Sequence, residues 1–311
     1  MRTSYIAIDF ICNQRCRFCP CSKEQSTYPS IPLIELKNLV EGFIKQSKIE
    51  GLVISGGEPT LHKDFIPFIE FVTQKGLNVT VLSNGETFSN KQFVEQLVLN
   101  ADVSKLMVTT TIHSHDREQH EWINQTKGSF DRSIKGLLNL MDLGIKVTVK
   151  HCINRQNRVD LKKFYEFIDC TFPEEADIQL CSIDYCGLTG EEKRDQMVSF
   201  PELRPYMEEM FDLYLADLEK GSQRRMYCIN MPYCAADPYY WEFLAPKSDN
   251  YSNYAAPVKT GEELKSEDHI EPIVGTFCNE CKDCIVESIC PGTYRTAFEY
   301  YGNQIVKKYT E

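Results

Sequence analysis

Short β-branched runs alternate with amphipathic helical stretches from Tyr5 to Glu219, and no other feature limits the possible folds as strongly. Strands are expected over Tyr5–Ile11, Leu52–Ser55, Asn78–Leu82, Lys105–Ile112, Ile145–Ile153 and Ile178–Ile183. Helices are expected over Ile34–Ser47, Phe65–Lys75, Asn90–Leu99, Phe130–Leu143, Leu161–Cys170 and Leu203–Lys220, with Gly76 and Gly144 as stop signals. The first helix carries Leu36, Leu39, Val40, Phe43 and Ile44 on one face. Such consecutive βα units read as a parallel sheet with outer helices, because each parallel pairing needs a crossover that covers the sheet. A barrel and an open, doubly wound sheet both satisfy that pattern. A chain of 311 residues, 42% apolar, can hold one such body and a small appendage. No repeat on the 20–50-residue scale suggests a solenoid.

The residues with chemistry in them fall just after the expected strands, at the carboxyl ends where parallel α/β sheets build their sites. After the first comes Cys12-Asn-Gln-Arg-Cys16-Arg-Phe-Cys19. With 14 cysteines in the chain, chance yields roughly 0.03 such C-x3-C-x2-C triplets, so the spacing is informative. Three thiolates on one tight loop can hold three irons of a [4Fe–4S] cube and leave the fourth iron open for chemistry. The competing reading is zinc, which favours paired C-x2-C elements and needs a fourth ligand such as Cys21. Phe18 inside the triplet and Gly56-Gly57-Glu58-Pro59 after the second strand weigh against zinc.

This combination resembles the radical S-adenosylmethionine (SAM) superfamily. The resemblance implies a partial (β/α)6 TIM-type barrel over residues 1–220, with a small Cys-rich auxiliary domain over 221–311. It implies a SAM-binding [4Fe–4S] cluster on Cys12, Cys16 and Cys19, with Phe18 packed against the adenine. Gly56, Gly57, Glu58 and Pro59 resemble the family's GGEP turn, whose carbonyl and carboxylate would accept from the methionine ammonium. Ser83 and Asn84 match its polar strand-three ending, beside ribose or the methionine carboxylate; a plain Asn-Gly turn is the alternative. Thr111 and His113 stand where relatives place polar residues facing the barrel, while His115 and His120 read as surface loop residues. The segment from Trp122 to Phe130 is similar to that of relatives with an auxiliary cluster. Several of these carry arginine where this chain has Asn124, so Lys150 becomes the candidate carboxylate partner, and Asn154 a candidate for adenine or ribose.

A second cysteine group, Cys278-x2-Cys281-x2-Cys284-x5-Cys290, is dense enough for another metal site. Its C-x2-C-x5-C core resembles the SPASM and twitch extensions, although Tyr294 stands where SPASM modules have a further cysteine. One auxiliary [4Fe–4S] cluster on Cys281, Cys284 and Cys290 is implied. Cys234 is the preferred fourth ligand, with Cys228 and Cys278 as rivals. Cys152, Cys181 and Cys186 near strand ends five and six could donate a hydrogen atom or be small buried residues. Asp184 and Tyr185 could face the same pocket.

A net charge of −11 counts against a nucleic-acid substrate held by a broad basic face, tRNA included. No export signal or apolar run of membrane-spanning length occurs, so a cytoplasmic, membrane-free protein is expected. Thiols stay reduced there, which favours metal ligation over disulfides. The resemblance implies reductive SAM cleavage to a 5′-deoxyadenosyl radical, fed by a flavodoxin- or ferredoxin-type reductant. The expected substrate is a ribosomally made peptide, cross-linked or oxidised by a maturase. Against that reading, the single strand ahead of the cysteine loop leads us to expect no fused leader-binding domain. A dehydrogenase or mutase acting on a small molecule such as an amino sugar or alcohol is the alternative. A non-catalytic iron–sulfur electron carrier or sensor is the reading from another class.

Overall fold

The computed structural model describes residues 2–19, 28–186, 188, 190–247, 251–259, 262, 264 and 275–310. Cys21 lies outside them. Eight strands form one sheet: β1 (Thr3–Asp9), β2 (Gly51–Gly56), β3 (Asn78–Ser83), β4 (Leu106–Thr111), β5 (Lys146–Cys152), β6 (Asp177–Cys181), β7 (Met226–Ile229) and β8 (Tyr254–Ala255). Their order is β7-β6-β5-β4-β3-β2-β1-β8. The helices are α1 (Leu33–Ser47), α2 (Phe65–Gln74), α3 (Lys91–Asn100), α4 (Arg117–Asn124), α5 (Ser129–Asp142), α6 (Leu161–Thr171), α7 (Gly190–Gln196), α8 (Phe200–Glu219) and α9 (Arg295–Tyr301).

Six strands and six helices occur where the alternation places them. The sheet exceeds the expected six strands because β7 pairs in parallel with β6 and β8 with β1. Four- and two-residue strands are too short to show a period, and only long-range pairing creates them. Helices α4, α7 and α9 likewise span eight residues or fewer.

The chain divides into two compact units that interleave in sequence. The first comprises Met1–Thr111, Glu121–Thr148 and Asn250–Glu271; the second comprises Ile112–His120, Val149–Asp249 and Pro272–Glu311. In the first, β2 is buried along nearly its whole length, as a parallel strand covered on both faces should be. Leu36, Val40 and Phe43 of α1 are buried, as are Phe65, Phe68 and Val72 of α2. In the second, α6 contributes Leu161, Phe164 and Ile168, and α8 contributes Leu203, Met207 and Phe211. There the buried Arg224 guanidinium donates to the carbonyls of Phe172 and Ala176 at 3.0 and 2.8 Å, closing the turn after α6.

The register of β1 against β2 prepares the site. Pairing runs from Thr3–Gly51 to Ala7–Ser55, then slips by one residue so that Asp9 faces Gly56. The slip brings the chain leaving β1 directly against the turn leaving β2.

Candidate cluster and cofactor site

Backbone crowding explains the two glycines after β2. A Cβ on Gly56 would lie 1.9 Å from the Asp9 carbonyl oxygen, and one on Gly57 would lie 2.3 Å from that of Ile11. Gly56 also adopts a φ of +134°, which L residues avoid. In return Gly57 N donates to Asp9 O, and Glu58 N to Ile11 O, both at 2.7 Å. Both glycines thus allow a close approach to the chain that leads into the cysteine loop. Asp9, which sequence reasoning passed over, is 2% exposed; its carboxylate accepts from Ile11 N at 2.8 Å and from Ser30 Oγ.

Residues 13–18 alternate in exposure. Gln14 and Phe18 are buried, whereas Asn13, Arg15 and Arg17 are exposed. Arg15 N and Arg17 N donate to the carbonyls of Asn124 and Ile123 at 3.0 and 2.9 Å, and Cys19 N turns back to Cys16 O. The buried Gln14 amide donates to Glu86 Oε1 at 2.7 Å, and Arg132 Nε holds Glu86 Oε2 at 2.6 Å. Neither Glu86 nor Arg132 carries a local sequence signal. Asn124, where arginine was considered, is fully buried; its side chain bonds Ser129 Oγ and Thr126 N, so it braces the loop that receives Arg15.

Burial raises the Cys12 thiol to about 11, with the nearby Glu58 and Cys19 charges adding to the effect. Burial also drives Cys16 upward, helped by Cys19 and Cys12. Without a cation, the Cys12 and Cys16 thiols are therefore costly to ionise. Iron would supply the positive charge that makes thiolates the stable form, so the donor set fits a cluster.

Glu58 is fully buried. Its Oε1 accepts from Thr60 N at 3.1 Å, Thr60 Oγ1 at 2.6 Å and Ser83 Oγ at 2.8 Å, and its Oε2 from Asn84 N at 2.6 Å. Burial pushes this carboxyl above its ordinary range while those hydrogen bonds pull it down. The carboxylate offered to an ammonium is thus engaged in tying the end of β2 to the end of β3. Asn84 Nδ2 donates to Asn13 Oδ1 at 2.7 Å, so the same tie reaches the cysteine loop. Glu58, Pro59, Ser83 and Asn84 converge as the motif order suggests. Thr111 ends β4 half-exposed, while its neighbour Thr110 is fully buried with an unpartnered hydroxyl.

The second unit holds the remaining candidates. His113 is buried, its backbone N donating to His120 Nδ1 at 3.1 Å. His120 is fully buried, which corrects its placement on the surface; the fold encloses the turn between β4 and α4. Burial holds His113 well below its ordinary value, and lowers His120 and His151 to about 4. Asn154 is fully buried; its Oδ1 caps Gln156 N and Asn157 N, and its Nδ2 has no hydrogen-bond partner. Lys150 lies within β5 and its charge helps lower Cys181 to about 6, after the larger effect of a hydrogen bond from Cys152. Cys186 is exposed, and Tyr185 is buried with its hydroxyl on Gln196 O at 3.0 Å.

Cys234, Cys281, Cys284 and Cys290 line a single narrow cavity of about 20 Å³, with Pro232 and Phe277 among its walls. Burial raises Cys234 to about 11, with Cys290 and Cys281 charges contributing after a backbone hydrogen bond from Lys307 that lowers it. Cys278 is not in that wall; its Sγ lies 3.7 Å from Cys281 Sγ. Cys228 is buried in β7. Among the described residues, no three His, Cys, Asp or Glu side chains are gathered tightly enough for a single metal ion.

A parallel α/β sheet with a three-cysteine loop and a Gly-Gly-Glu-Pro turn at successive strand ends is the architecture of a SAM-cleaving iron–sulfur enzyme. The Radical SAM superfamily model matches residues 8–168, and the chain belongs to that superfamily. Membership implies a [4Fe–4S] cluster and SAM. The chain is 27% identical over 172 residues to the Fe-coproporphyrin III synthase of Methanosarcina barkeri (strain Fusaro / DSM 804), covering 55% of this chain and 41% of that one. It is 29% identical over 163 residues to a probable GTP 3′,8-cyclase of Saccharolobus islandicus (strain L.S.2.15 / Lassen #1), covering 52% of this chain and 51% of the relative. The chain thus spans about half the length of these relatives or less. Among solved structures, Streptococcus suis SuiB bound to S-adenosylmethionine superposes with a TM-score of 0.68 at 14% identity, over 99% of this chain and 76% of that one. Native anSMEcpe with bound AdoMet gives 0.58 at 16% identity, over 73% and 63%. These likenesses bear out the partial TIM-type barrel that the family resemblance implies. No helix among the described residues is long and apolar enough to cross a membrane.

Proposed function

We propose that the chain is a radical SAM enzyme that takes a hydrogen atom from a ribosomally made peptide and oxidises or cross-links it, using a second, auxiliary cluster. When bound, the cluster and SAM supply a 5′-deoxyadenosyl radical on one-electron reduction. Cys12, Cys16 and Cys19 would hold the cluster, on a loop kept rigid by Gln14, Glu86 and the Glu58–Ser83–Asn84 tie. Phe18, buried and next to Cys19 in sequence, would pack on the adenine. The carbonyls of Gly56 and Gly57, with Pro59 closing the turn, would take the methionine ammonium in place of the committed Glu58 carboxylate. Thr111, His113, Lys150 and Asn154 remain candidate SAM contacts. The functional division is a barrel over 1–220 and an auxiliary domain over 221–311.

The observation that carries the oxidative part is the cavity shared by Cys234, Cys281, Cys284 and Cys290. Four thiols on one cavity can hold a fully ligated cube, suited to removing an electron from a substrate radical. The peptide reading draws support from the likeness to SuiB, one structure of which is bound to its precursor peptide SuiA. A small-molecule substrate is the second reading, favoured by the names of the sequence relatives, a cyclase of GTP and a coproporphyrin synthase. Anaerobic reconstitution followed by SAM and candidate substrates separates them. A peptide product two hydrogens lighter supports the first reading; turnover of a small molecule with no peptide binding overturns it.

A further inference from the structure

The outer face of the cysteine loop carries features that neither cluster ligation nor SAM binding uses. Arg15 and Arg17 project from it while Gln14 and Phe18 turn inward. Their backbones are pinned to the carbonyls of Asn124 and Ile123, so the direction in which both side chains leave the loop is set. Arg17 is ordered further: Nε donates to Trp122 O at 3.0 Å, and the guanidinium lies 3.9 Å from the centre of the Trp122 ring. Trp122 nevertheless keeps 42% of its surface exposed. In the turn after α4, Lys127 is exposed, and its carbonyl accepts from the Arg132 guanidinium at 3.1 Å. Acids nearby include Glu86, buried and paired with Arg132; Glu121, which caps Gly128 N; and the exposed Asp131 and Glu118, the latter one turn before Trp122 on α4.

A positive patch on a chain of net charge −11 is selective rather than general. Tryptophan and arginine are the residue types that dominate binding energy at protein interfaces, and an arginine already stacked on a tryptophan loses little freedom on docking. Arg15 and Arg17 also flank Cys16 directly in the chain, so a protein docked on them would sit beside a cluster held by that thiol. We propose that Arg15, Arg17, Trp122 and Lys127 form the docking surface for an acidic one-electron carrier protein that reduces the SAM cluster. This rests on the cluster assignment above. An acidic substrate peptide would be drawn to the same charges, but it gains nothing from contact with the outer side of the cluster loop.

The test uses the anaerobically reconstituted full chain and two probes, an oxidised flavodoxin and a two-[4Fe–4S] ferredoxin. Binding is measured by calorimetry at 50 and 300 mM NaCl. At least one carrier should bind saturably, and its affinity should fall at least tenfold with added salt and in Arg15→Glu/Lys127→Glu. Arg17→Gln and Trp122→Ala should weaken binding less steeply with salt. Circular dichroism confirms folding, and Arg15→Glu/Lys127→Glu leaves the Arg17–Trp122 stack untouched should other variants misfold. Dithionite bypasses docking, so dithionite-driven SAM cleavage should persist in that variant. Salt-insensitive binding, equal affinity in the variants, or no binding of either carrier overturns the proposal. So does a candidate peptide that loses affinity through the same substitutions while the carriers do not. Failure of dithionite to cleave SAM in the unaltered protein would instead overturn the cluster assignment, while carrier binding still reads the patch.

Discussion

Replacing Glu58 with glutamine separates two roles that a buried carboxylate at this turn could play. Its oxygens accept four hydrogen bonds, two of them from backbone N–H groups, Thr60 N on Oε1 and Asn84 N on Oε2. Hydroxyl donors such as Ser83 Oγ can rotate, but a backbone N–H cannot. A glutamine offers one acceptor oxygen, so whichever way the amide turns, its NH2 faces one of those two N–H groups. The less costly orientation keeps oxygen beside Thr60 and Ser83 and opposes Asn84 N, now 2.6 Å from a carboxylate oxygen. One orphaned backbone donor costs about 1–3 kcal/mol. At roughly 2–4 °C per kcal/mol for a domain of this size, the melting transition of cluster-free protein should fall by about 2–12 °C. Glu58→Ala orphans both donors and leaves a cavity, so it should fall further. The assay is thermal unfolding at pH 7 by circular dichroism, paired with SAM affinity of reconstituted protein. Were Glu58 instead the partner of the methionine ammonium, glutamine would weaken SAM binding and leave the melting temperature of cluster-free protein unmoved. That result would refute the structural tie.

Cys16→Ala should remove 5′-deoxyadenosine formation and lower iron from about eight to about four per chain, as chemical iron analysis would show. Cys234→Ala should lower iron by a similar amount while sparing SAM cleavage, whereas Cys278→Ala, outside the cavity wall, should retain its iron. In the second unit, burial holds His120 and His151 at about 4 against an ordinary 6.5. Unfolded chains therefore take up protons first, so the stabilisation is complete above pH 6.5 and is lost as pH falls toward 4, by about 3 kcal/mol per histidine. Urea titrations at pH 7.5 and 4.5 should show it; equal midpoints would contradict the buried, neutral state.

The βα alternation, the three-cysteine loop and the Gly-Gly-Glu-Pro turn were legible because each is a local pattern. Hydrophobic period, ligand spacing and turn chemistry all act within a few residues of sequence, and they determined the fold class and the strand ends that carry the site. Tertiary structure decided matters that depend on residues far apart. It showed that Gly56 and Gly57 are small because Asp9 and Ile11 pass beside them, and that Glu58 serves Ser83 and Asn84. It brought Glu86 and Arg132 behind Gln14, enclosed His120 and added β7 and β8. It also set Cys234 in one wall with Cys281, Cys284 and Cys290, across more than forty residues of intervening chain. Such contacts follow from strand register and packing, which no window of sequence contains.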